Sequence, residues 1–251
     1  MSKKKIIVFS LIIIFLASFV WLDFVFLENN SETFAKELKE AGETSDFVII
    51  FNSGGFGTVK PELAYDLKPI IDDLKGEVEG MNYKVAVVPY YRTKETIIGR
   101  IGYLKEMFLS FPSESKDLAK RIKDFVEENP GDKVLMAGLS NGAAFVNETM
   151  EDLQGINNVF AIEMGTPFWS TKNPAENILI LDNKGRDSLS IGDKGQLMLS
   201  LLQSPFKWIA SRIEGRKISF SEAMVAPGHQ YSWLEVEEEV VSFLESKVLS
   251  D

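Results

Sequence analysis

Short apolar runs alternate with stretches of helical periodicity from residue 46 to the C-terminus. The runs are five to nine residues long. They predict buried β-strands, because a strand covered on both faces loses the usual alternation of polar and apolar positions. The predicted strands cover residues 47–51, 83–91, 133–139, 158–164, 177–181 and 218–225.

Apolar residues recur at helical spacing between and after these runs. The predicted helices cover residues 61–75, 96–109, 115–128, 141–153, 195–213 and 234–249. Strands joined by helices imply a mostly parallel sheet covered by helices, which is an α/β fold. We therefore expect one α/β domain over residues 46–251, preceded by a polar stalk over residues 28–45.

The N-terminus has the pattern of a membrane segment. Three lysines precede an uncharged run, Ile6–Leu22, and after Asp23 the apolar sequence continues to Leu27. A helix over residues 6–22 spans about 25 Å and one over residues 6–27 about 33 Å, against a hydrocarbon core of about 30 Å. Residues 1–27 are therefore predicted to be a single transmembrane anchor, with the N-terminus cytoplasmic and the domain outside the cytoplasm.

A cleaved signal peptide is the alternative interpretation of this segment, and it would leave the protein secreted. The apolar run is longer than the roughly 7–15 residues usual for such peptides, and only Ala17-Ser18 offers a weak cleavage site. The pattern favours an anchor.

Composition removes several classes of function. The formal net charge is −10, which argues against a nucleic acid partner because phosphate binding requires clustered Lys and Arg. The chain has no cysteine and one histidine, His229, so thiolate chemistry and zinc sites built from several histidines are excluded. We expect neither a metal nor a cofactor. Any imidazole base must be His229.

The strongest chemical signal is Gly138-Leu139-Ser140-Asn141-Gly142. It lies between a predicted strand and a predicted helix, where the G-x-S-x-G pattern forms a nucleophile elbow. The glycines on either side of Ser140 let the strand and the helix approach closely, so that the serine hydroxyl projects above the sheet. The helix N-terminus favours negative charge that develops there.

A second glycine-rich segment follows the first predicted strand and runs from Asn52 to Gly57. Such a loop can turn its backbone amides toward a ligand. It lacks both the G-x-x-x-x-G-K-[ST] and the G-x-G-x-x-G patterns, so nucleotide binding is not expected.

On these motifs the chain resembles the α/β-hydrolase superfamily, in its lipase and esterase branch, over about residues 46–249. The order of catalytic residues in that superfamily is serine, acid, histidine, with the histidine in the loop before the last helix. His229 occupies that position. The resemblance implies an acid in the loop after the strand over residues 177–181. Asp187 is the preferred candidate, and Asp182, Asp193 and Glu163 remain alternatives.

The resemblance also implies an oxyanion hole. One amide is expected from Asn141 and the other from Gly55 or Phe56, in a loop similar to the H-G-G-x-G loops of esterases, with Ser53 in place of the histidine. The expected activity is ester hydrolysis through an acyl-enzyme, with Ser140 as nucleophile and His229 as base. The alternatives are a serine peptidase and a non-catalytic, membrane-tethered binding protein on the same fold.

Two segments, residues 97–111 and 197–213, are rich in large apolar residues. They are expected mainly to pack on the sheet. The alternative is that either segment caps an apolar pocket or contacts lipid, which would favour a lipid or acyl ester as substrate over other small-molecule esters.

Overall fold

The computed structural model describes residues 32–93, 103, 107, 111–170, 174–215, 223 and 225–248. Over these residues the protein is an α/β fold with one five-stranded parallel sheet. The strands are β1 (Phe47–Asn52), β2 (Val85–Pro89), β3 (Lys133–Leu139), β4 (Val159–Met164) and β5 (Ile178–Leu181). Their order across the sheet is β2-β1-β3-β4-β5. The predicted fold class, a parallel sheet covered by helices, is confirmed.

Helices follow the strands and cover both faces of the sheet. The helices are α1 (residues 32–42), α2 (Lys68–Gly80), α3 (Glu114–Glu128), α4 (Asn141–Asp152), α5 (Ser188–Ile191), α6 (Lys194–Ile213) and α7 (Trp233–Phe243). A 3₁₀ turn covers Pro61–Leu63, and a π-helical turn, Leu244–Val248, extends α7.

The two faces of the sheet carry separate hydrophobic clusters. On β1, Val48 and Ile50 pack with residues of α1, α3 and α4, whereas Phe47, Ile49 and Phe51 pack with residues of α2 and α7. All six residues of β1 are buried, because each face of this central strand meets a helical layer. This two-sided burial accounts for the continuous apolar runs of the sequence.

The helix predicted over residues 61–75 is wrong at both ends. The chain forms only a short 3₁₀ turn there, and α2 begins at Lys68 and continues to Gly80. Pro69 lies in the first turn of α2, where its fixed φ suits a helix start and its missing N–H costs nothing. The apolar residue Leu63 is consequently exposed.

Helix α1 lies within the segment 28–45 that was predicted as a stalk. Its residues Phe34, Leu38 and Ala41 are buried, and Phe34 contacts Tyr90 edge to face with ring centroids 5.0 Å apart. The first described residues of the chain therefore pack on the core of the domain.

Three predictions fall largely on residues outside the described part of the chain. These are the anchor over residues 1–27, the helix over residues 96–109, of which Tyr103 and Met107 are described, and the last strand over residues 218–225. Of that last segment, Ala223 is helical and Val225 is in no regular element, so the described residues give no sixth strand. None of the helices formed by the described residues is long and apolar enough to span a membrane.

Helix α6 does not bury its apolar residues, so the expected packing of residues 197–213 on the sheet is wrong. The side chains that it buries are three serines, Ser200, Ser204 and Ser211. Leu197 and Trp208 are half-buried, and its other large apolar side chains are exposed: Met198, Leu199, Leu201, Leu202, Phe206, Ile209 and Ile213. A soluble surface helix normally has the opposite arrangement.

The carboxyl ends of all five strands lie at one edge of the sheet, because every neighbouring pair is parallel. The strand order reverses direction between β1 and β3. In open α/β sheets such a reversal leaves a crevice outside the carboxyl ends of the strands, where ligands bind. The loop after β1 and the turn after β3 border that crevice.

Candidate active site

Ser140 is in the turn between β3 and α4, with φ 57° and ψ −122°. A non-glycine residue with such angles costs about 1–3 kcal/mol, so the turn is strained. Its backbone is held on both sides: the amide donates to the Met164 carbonyl at 2.8 Å, and the carbonyl accepts from the Ala144 amide at 3.0 Å. The serine is only partly buried, whereas the residues of β3 before it are almost all buried.

The two glycines of the elbow lie where no side chain fits. A Cβ at Gly138 would come within 2.6 Å of the Gly142 backbone, and a Cβ at Gly142 would come within 2.3 Å of the Asn52 carbonyl oxygen. The contacting atoms are backbone, so they cannot move aside as a flexible side chain would. Both glycines are therefore required for α4 to start directly behind β3 and beside the end of β1.

His229 and Asp187 form a direct pair, with 2.8 Å between His229 Nδ1 and Asp187 Oδ2. The Asp187 carboxylate is fully buried, and the imidazole is 11% exposed. The same carboxylate oxygen accepts the hydroxyl of Tyr231 at 2.7 Å, while Oδ1 accepts the amide of Leu189 at 2.9 Å. The amide of Ser190 also donates to Oδ1, at 3.3 Å. Together these donors orient the carboxylate, which engages Nδ1 of His229 and leaves Nε2 as the other ring nitrogen.

The environment keeps Asp187 ionised. Burial raises the pKa of its carboxyl, but the hydrogen bonds from His229, Tyr231 and Leu189 outweigh burial, so the pKa lies below its ordinary value of 3.8. Burial, followed by the bond to Asp187, raises the pKa of Tyr231 far above its ordinary value, so the phenol remains a donor.

The other three acid candidates are engaged elsewhere. Asp182 accepts the amide of Gly185 in a turn, and Asp193 caps α6 by accepting the amide of Gln196. Glu163 is buried and accepts hydrogen bonds from the side chains of Asn147 and Thr166. The structure therefore brings Asp187, rather than any of the alternatives, to the imidazole.

The histidine pair and the serine meet at the end of β4. Ser140 bonds to the carbonyl of Met164, and the next residue, Gly165, lies against the pair. A Cβ at Gly165 would come within 2.6 Å of both Asp187 Oδ2 and His229 Cε1. Gly165 thus leaves room for the imidazole next to Met164, the residue whose carbonyl accepts the Ser140 amide.

The glycine loop after β1 lies over the elbow. A Cβ at Gly54 would be 3.3 Å from the Leu139 carbonyl and 3.7 Å from Ser140 Cβ. Gly55 has a φ of 56°, which places it in the left-handed region that favours glycine. Asn141 is the first residue of α4, so its amide has no carbonyl partner within the helix. Asn141 and the loop that carries Gly55 and Phe56 thus both lie next to Ser140.

Sequence reasoning missed three residues around this site. Tyr231 bonds to Asp187, and Arg92 and Tyr103 contact the glycine loop and α4. A signal existed for Arg92, because a cation a few residues after a parallel strand lies near the carboxyl edge of the sheet. Tyr231 lies two residues after His229, but spacing alone does not show which way a loop side chain points.

No metal-binding cluster occurs within the part of the chain that the structure describes: no three His, Asp or Glu side chains there are grouped as ligands.

Comparison with known proteins identifies no family by sequence: no protein-family model and no curated protein matches the chain. Among solved structures, it is similar to a Trichoderma reesei cutinase in complex with a C11Y4 phosphonate inhibitor, with 11% identity, coverage of 93% of this chain and 99% of that chain, and a TM-score of 0.49. A cutinase-like protein from Cryptococcus sp. has 13% identity, coverage of 54% and 75%, and a TM-score of 0.39. At these values neither structure assigns an activity to this chain.

The Tyr231–Asp187 bond makes a pH-dependent contribution to stability. Because the folded pKa of Asp187 is depressed, its ionisation stabilises the fold above the unfolded pKa, and this contribution is lost as pH falls through the folded value. Tyr231→Phe removes one bond that lowers this pKa. We expect a loss of about 1–1.5 kcal/mol in unfolding free energy at pH 7, which shrinks once the pH falls below the ordinary carboxyl value of 3.8 and Asp187 becomes protonated. Urea unfolding of the full chain in detergent, at a series of pH values, measures this difference in unfolding free energy.

Tyr65→Phe is the matched control, because this tyrosine is 79% exposed. It should leave the unfolding free energy unchanged at every pH. A deficit in Tyr231→Phe that was the same at pH 7 and in acid, where Asp187 is protonated, would mean that Asp187 does not respond to the phenol.

Proposed function

We propose that this protein is a serine hydrolase that cleaves esters through Ser140, His229 and Asp187. The observation that carries the proposal is the His229–Asp187 pair, 2.8 Å apart, at the same sheet edge as a serine in a strained strand–turn–helix elbow. A serine that served only to cap a helix would need neither this backbone strain nor a buried carboxylate that orients an imidazole.

In the proposed mechanism, the His229 Nδ1–H donates a hydrogen bond to the Asp187 carboxylate, which leaves Nε2 to accept the proton of the Ser140 hydroxyl. The serine oxygen attacks the ester carbonyl, and the amides of Asn141 and of Gly55 or Phe56 stabilise the oxyanion. His229 then protonates the leaving alcohol. Water, deprotonated by His229, hydrolyses the acyl-enzyme and restores Ser140.

A fluorophosphonate probe tests for this activated serine without knowledge of the substrate. We expect the full-length wild type to be labelled, and Ser140→Ala and His229→Ala to show no labelling. Asp187→Asn keeps the shape of the carboxylate but stabilises the wrong tautomer, so its labelling rate should fall by about 10⁴-fold. Intact-protein mass spectrometry of the adduct measures each rate.

Ser246→Ala is the matched control, since this serine is exposed on the turn that extends α7. It should be labelled like the wild type. If folded wild-type protein reacted neither with a long-chain nor with a small phosphonylating probe, the enzyme proposal would fail, and a non-catalytic binding protein would be the better interpretation. Cleavage of peptides but not of esters would instead identify a serine peptidase.

The exposed face of α6 supports a lipid or acyl ester as substrate. The helix begins after Asp193, six residues beyond Asp187, and Ser200 Oγ donates to the Val225 carbonyl, four residues before His229. It is thus tied to both segments that supply the acid and the base. Phe168 and Trp169, in the loop after β4, add further exposed aromatic surface next to α5. Apolar patches of this kind are typical of surfaces that bind lipid or protein partners.

The charges of α6 favour lipid as the partner. Between Lys194 and Ile213 the helix has no Asp or Glu, although the whole chain has a net charge of −10. Its charged residues are Lys194, Lys207 and Arg212, and Arg212 lies over the ring of Trp208. Exposed large apolar side chains with Lys, Arg and Trp are the composition of helices that lie in a membrane interface with anionic lipid.

Substitution of this face should separate two kinds of substrate. In the double variant Leu202→Ser, Phe206→Ser, we expect hydrolysis of p-nitrophenyl palmitate in anionic vesicles to fall about tenfold or more, because each side chain contributes roughly 1.5–3 kcal/mol when buried in lipid. Hydrolysis of soluble p-nitrophenyl butyrate should remain unchanged, since neither side chain belongs to the triad.

Leu234→Ser is the matched control, because Leu234 is 87% exposed on α7. It should leave both rates at the wild-type value. A wild-type preference for short, polar esters, or an equal loss on both substrates in the double variant, would contradict the lipid assignment while leaving the serine hydrolase intact.

Residues 1–27 are proposed to anchor the domain at a membrane, with the N-terminus cytoplasmic and the catalytic domain outside the cytoplasm. Support comes from the uncharged run after the three lysines and from the position of α1. Only residues 28–31 separate the proposed anchor from α1, and four residues span at most about 15 Å. Because α1 packs on the core, the domain would be held close to the bilayer.

Alkaline carbonate extraction of membranes tests the anchor. We expect the wild type to stay in the membrane fraction as an intact chain of 28.2 kDa. Two charges in the apolar run, Ile12→Arg with Leu16→Arg, should release it, because each arginine costs about 2.5–3.5 kcal/mol at the centre of a spanning helix. A shorter wild-type chain in the soluble extracytoplasmic fraction would instead show a cleaved signal peptide.

A further inference from the structure

Arg92 is a buried cation whose side chain reaches both sides of the proposed oxyanion hole. It follows β2 by three residues, and its side chain is 2% exposed. The guanidinium lies over the rings of Tyr103, Phe111 and Phe145, with 5.3–5.8 Å between its central carbon and the ring centroids. Burial of this charge is costly unless its donors are used.

The hydrogen bonds of Arg92 go to backbone carbonyls of the two catalytic segments. Nη2 donates to the carbonyl of Ser53 in the glycine loop, and Nη1 donates to the carbonyl of Asn141 in α4 at 3.0 Å. The backbone amide of Arg92 also donates to the carbonyl of Gly57 at 3.1 Å. One residue therefore ties the loop after β1 to the turn after β3.

Tyr103 extends the same contact. Its hydroxyl accepts from Arg92 Nη1 at 2.9 Å and donates to the carbonyl of Gly55 at 2.7 Å. Its ring also packs against Phe56, with centroids 5.4 Å apart. Burial raises the pKa of Tyr103 above its ordinary value, although the Arg92 cation opposes this, so the phenol keeps the proton that it donates.

These contacts determine where the loop amides point. The described peptide bonds are trans, and in a trans peptide the carbonyl and the following N–H point in opposite directions. Because Tyr103 holds the Gly55 carbonyl, the Phe56 N–H is directed away from the buried aromatic cluster. In the same way, the hydrogen bond from Arg92 to the Ser53 carbonyl directs the Gly54 N–H away from that cluster. The backbone of Gly57 contacts the Arg92 side chain so closely that a Cβ there would come within 2.6 Å of Arg92 Nε.

We propose that Arg92, acting with Tyr103, is the positioning residue of the oxyanion hole: it holds the carbonyls of the glycine loop and of α4 so that the loop amides face the reacting carbonyl. The inference rests on the proposed function and deepens it. Arg92 touches no reacting atom. Its effect is to align a donor that stabilises the transition state, so it should alter the rate of bond formation rather than the binding of the probe.

The test separates the maximal rate of phosphonylation from probe binding in the full-length protein. We measure kinact and KI for the fluorophosphonate probe in the wild type, Arg92→Lys and Tyr103→Phe. Lysine keeps the charge but not the planar fork that reaches two carbonyls. We expect kinact to fall about 100-fold in Arg92→Lys, the order of loss for one oxyanion donor, and about tenfold in Tyr103→Phe. KI should change less than about threefold in both variants.

Leu74→Ala is the stability-matched control, because this core residue lies on α2, in the other hydrophobic cluster. It should lower the melting temperature without lowering kinact. If Arg92→Lys does not fold, Tyr103→Phe decides, since phenylalanine preserves the ring contacts. A normal kinact in folded Arg92→Lys or Tyr103→Phe, beside a labelled wild type, would overturn the positioning role alone. An unlabelled wild type would overturn the proposed function instead.

Discussion

The site depends on one steric constraint, which is the contact between the backbone at the start of α4 and the backbone at the end of β1. Gly142 touches the Asn52 carbonyl so closely that a Cβ would come within 2.3 Å of it. Only at this distance can α4 start directly behind β3 and leave Ser140 in its strained turn at the carboxyl edge of the sheet. The glycine loop after β1 then lies against the serine. Backbone packing therefore sets the relative positions of Ser140, the proposed nucleophile, and the candidate oxyanion donors.

The proposed site also requires a carboxylate that stays charged while fully buried. Asp187 satisfies it with hydrogen bonds from His229, from Tyr231 and from the amides of Leu189 and Ser190. The same carboxylate caps α5, so the short helix and the histidine loop are joined at one side chain. Gly165 leaves the room in which the imidazole lies. The absence of a side chain at Gly165 thus decides where the imidazole can lie.

In helix α6 the apolar residues, which the sequence suggests are buried, are mostly exposed. Read alone, residues 197–213 suggest a core helix, yet the helix buries serines and exposes leucines and a phenylalanine. Periodicity identifies the helix but not the face that is buried, because its small polar residues recur on a stripe of their own. Ser200 and Ser204 satisfy their hydroxyls with carbonyls at 3.1 and 2.7 Å, which removes the cost of burying them.

The sequence by itself determined the α/β class, the bounds of most strands to within two residues and the elbow at Ser140. These depend on local patterns: continuous apolar runs, helical spacing and glycines two residues from a serine. The single histidine left one candidate base. Tertiary structure alone decided which of four carboxylates reaches His229, where Arg92 and Tyr103 lie, and which face of α6 is exposed. Each of these is a contact between segments distant along the chain. Such contacts depend on how the segments pack, and the spacing of residues within one segment does not predict that packing.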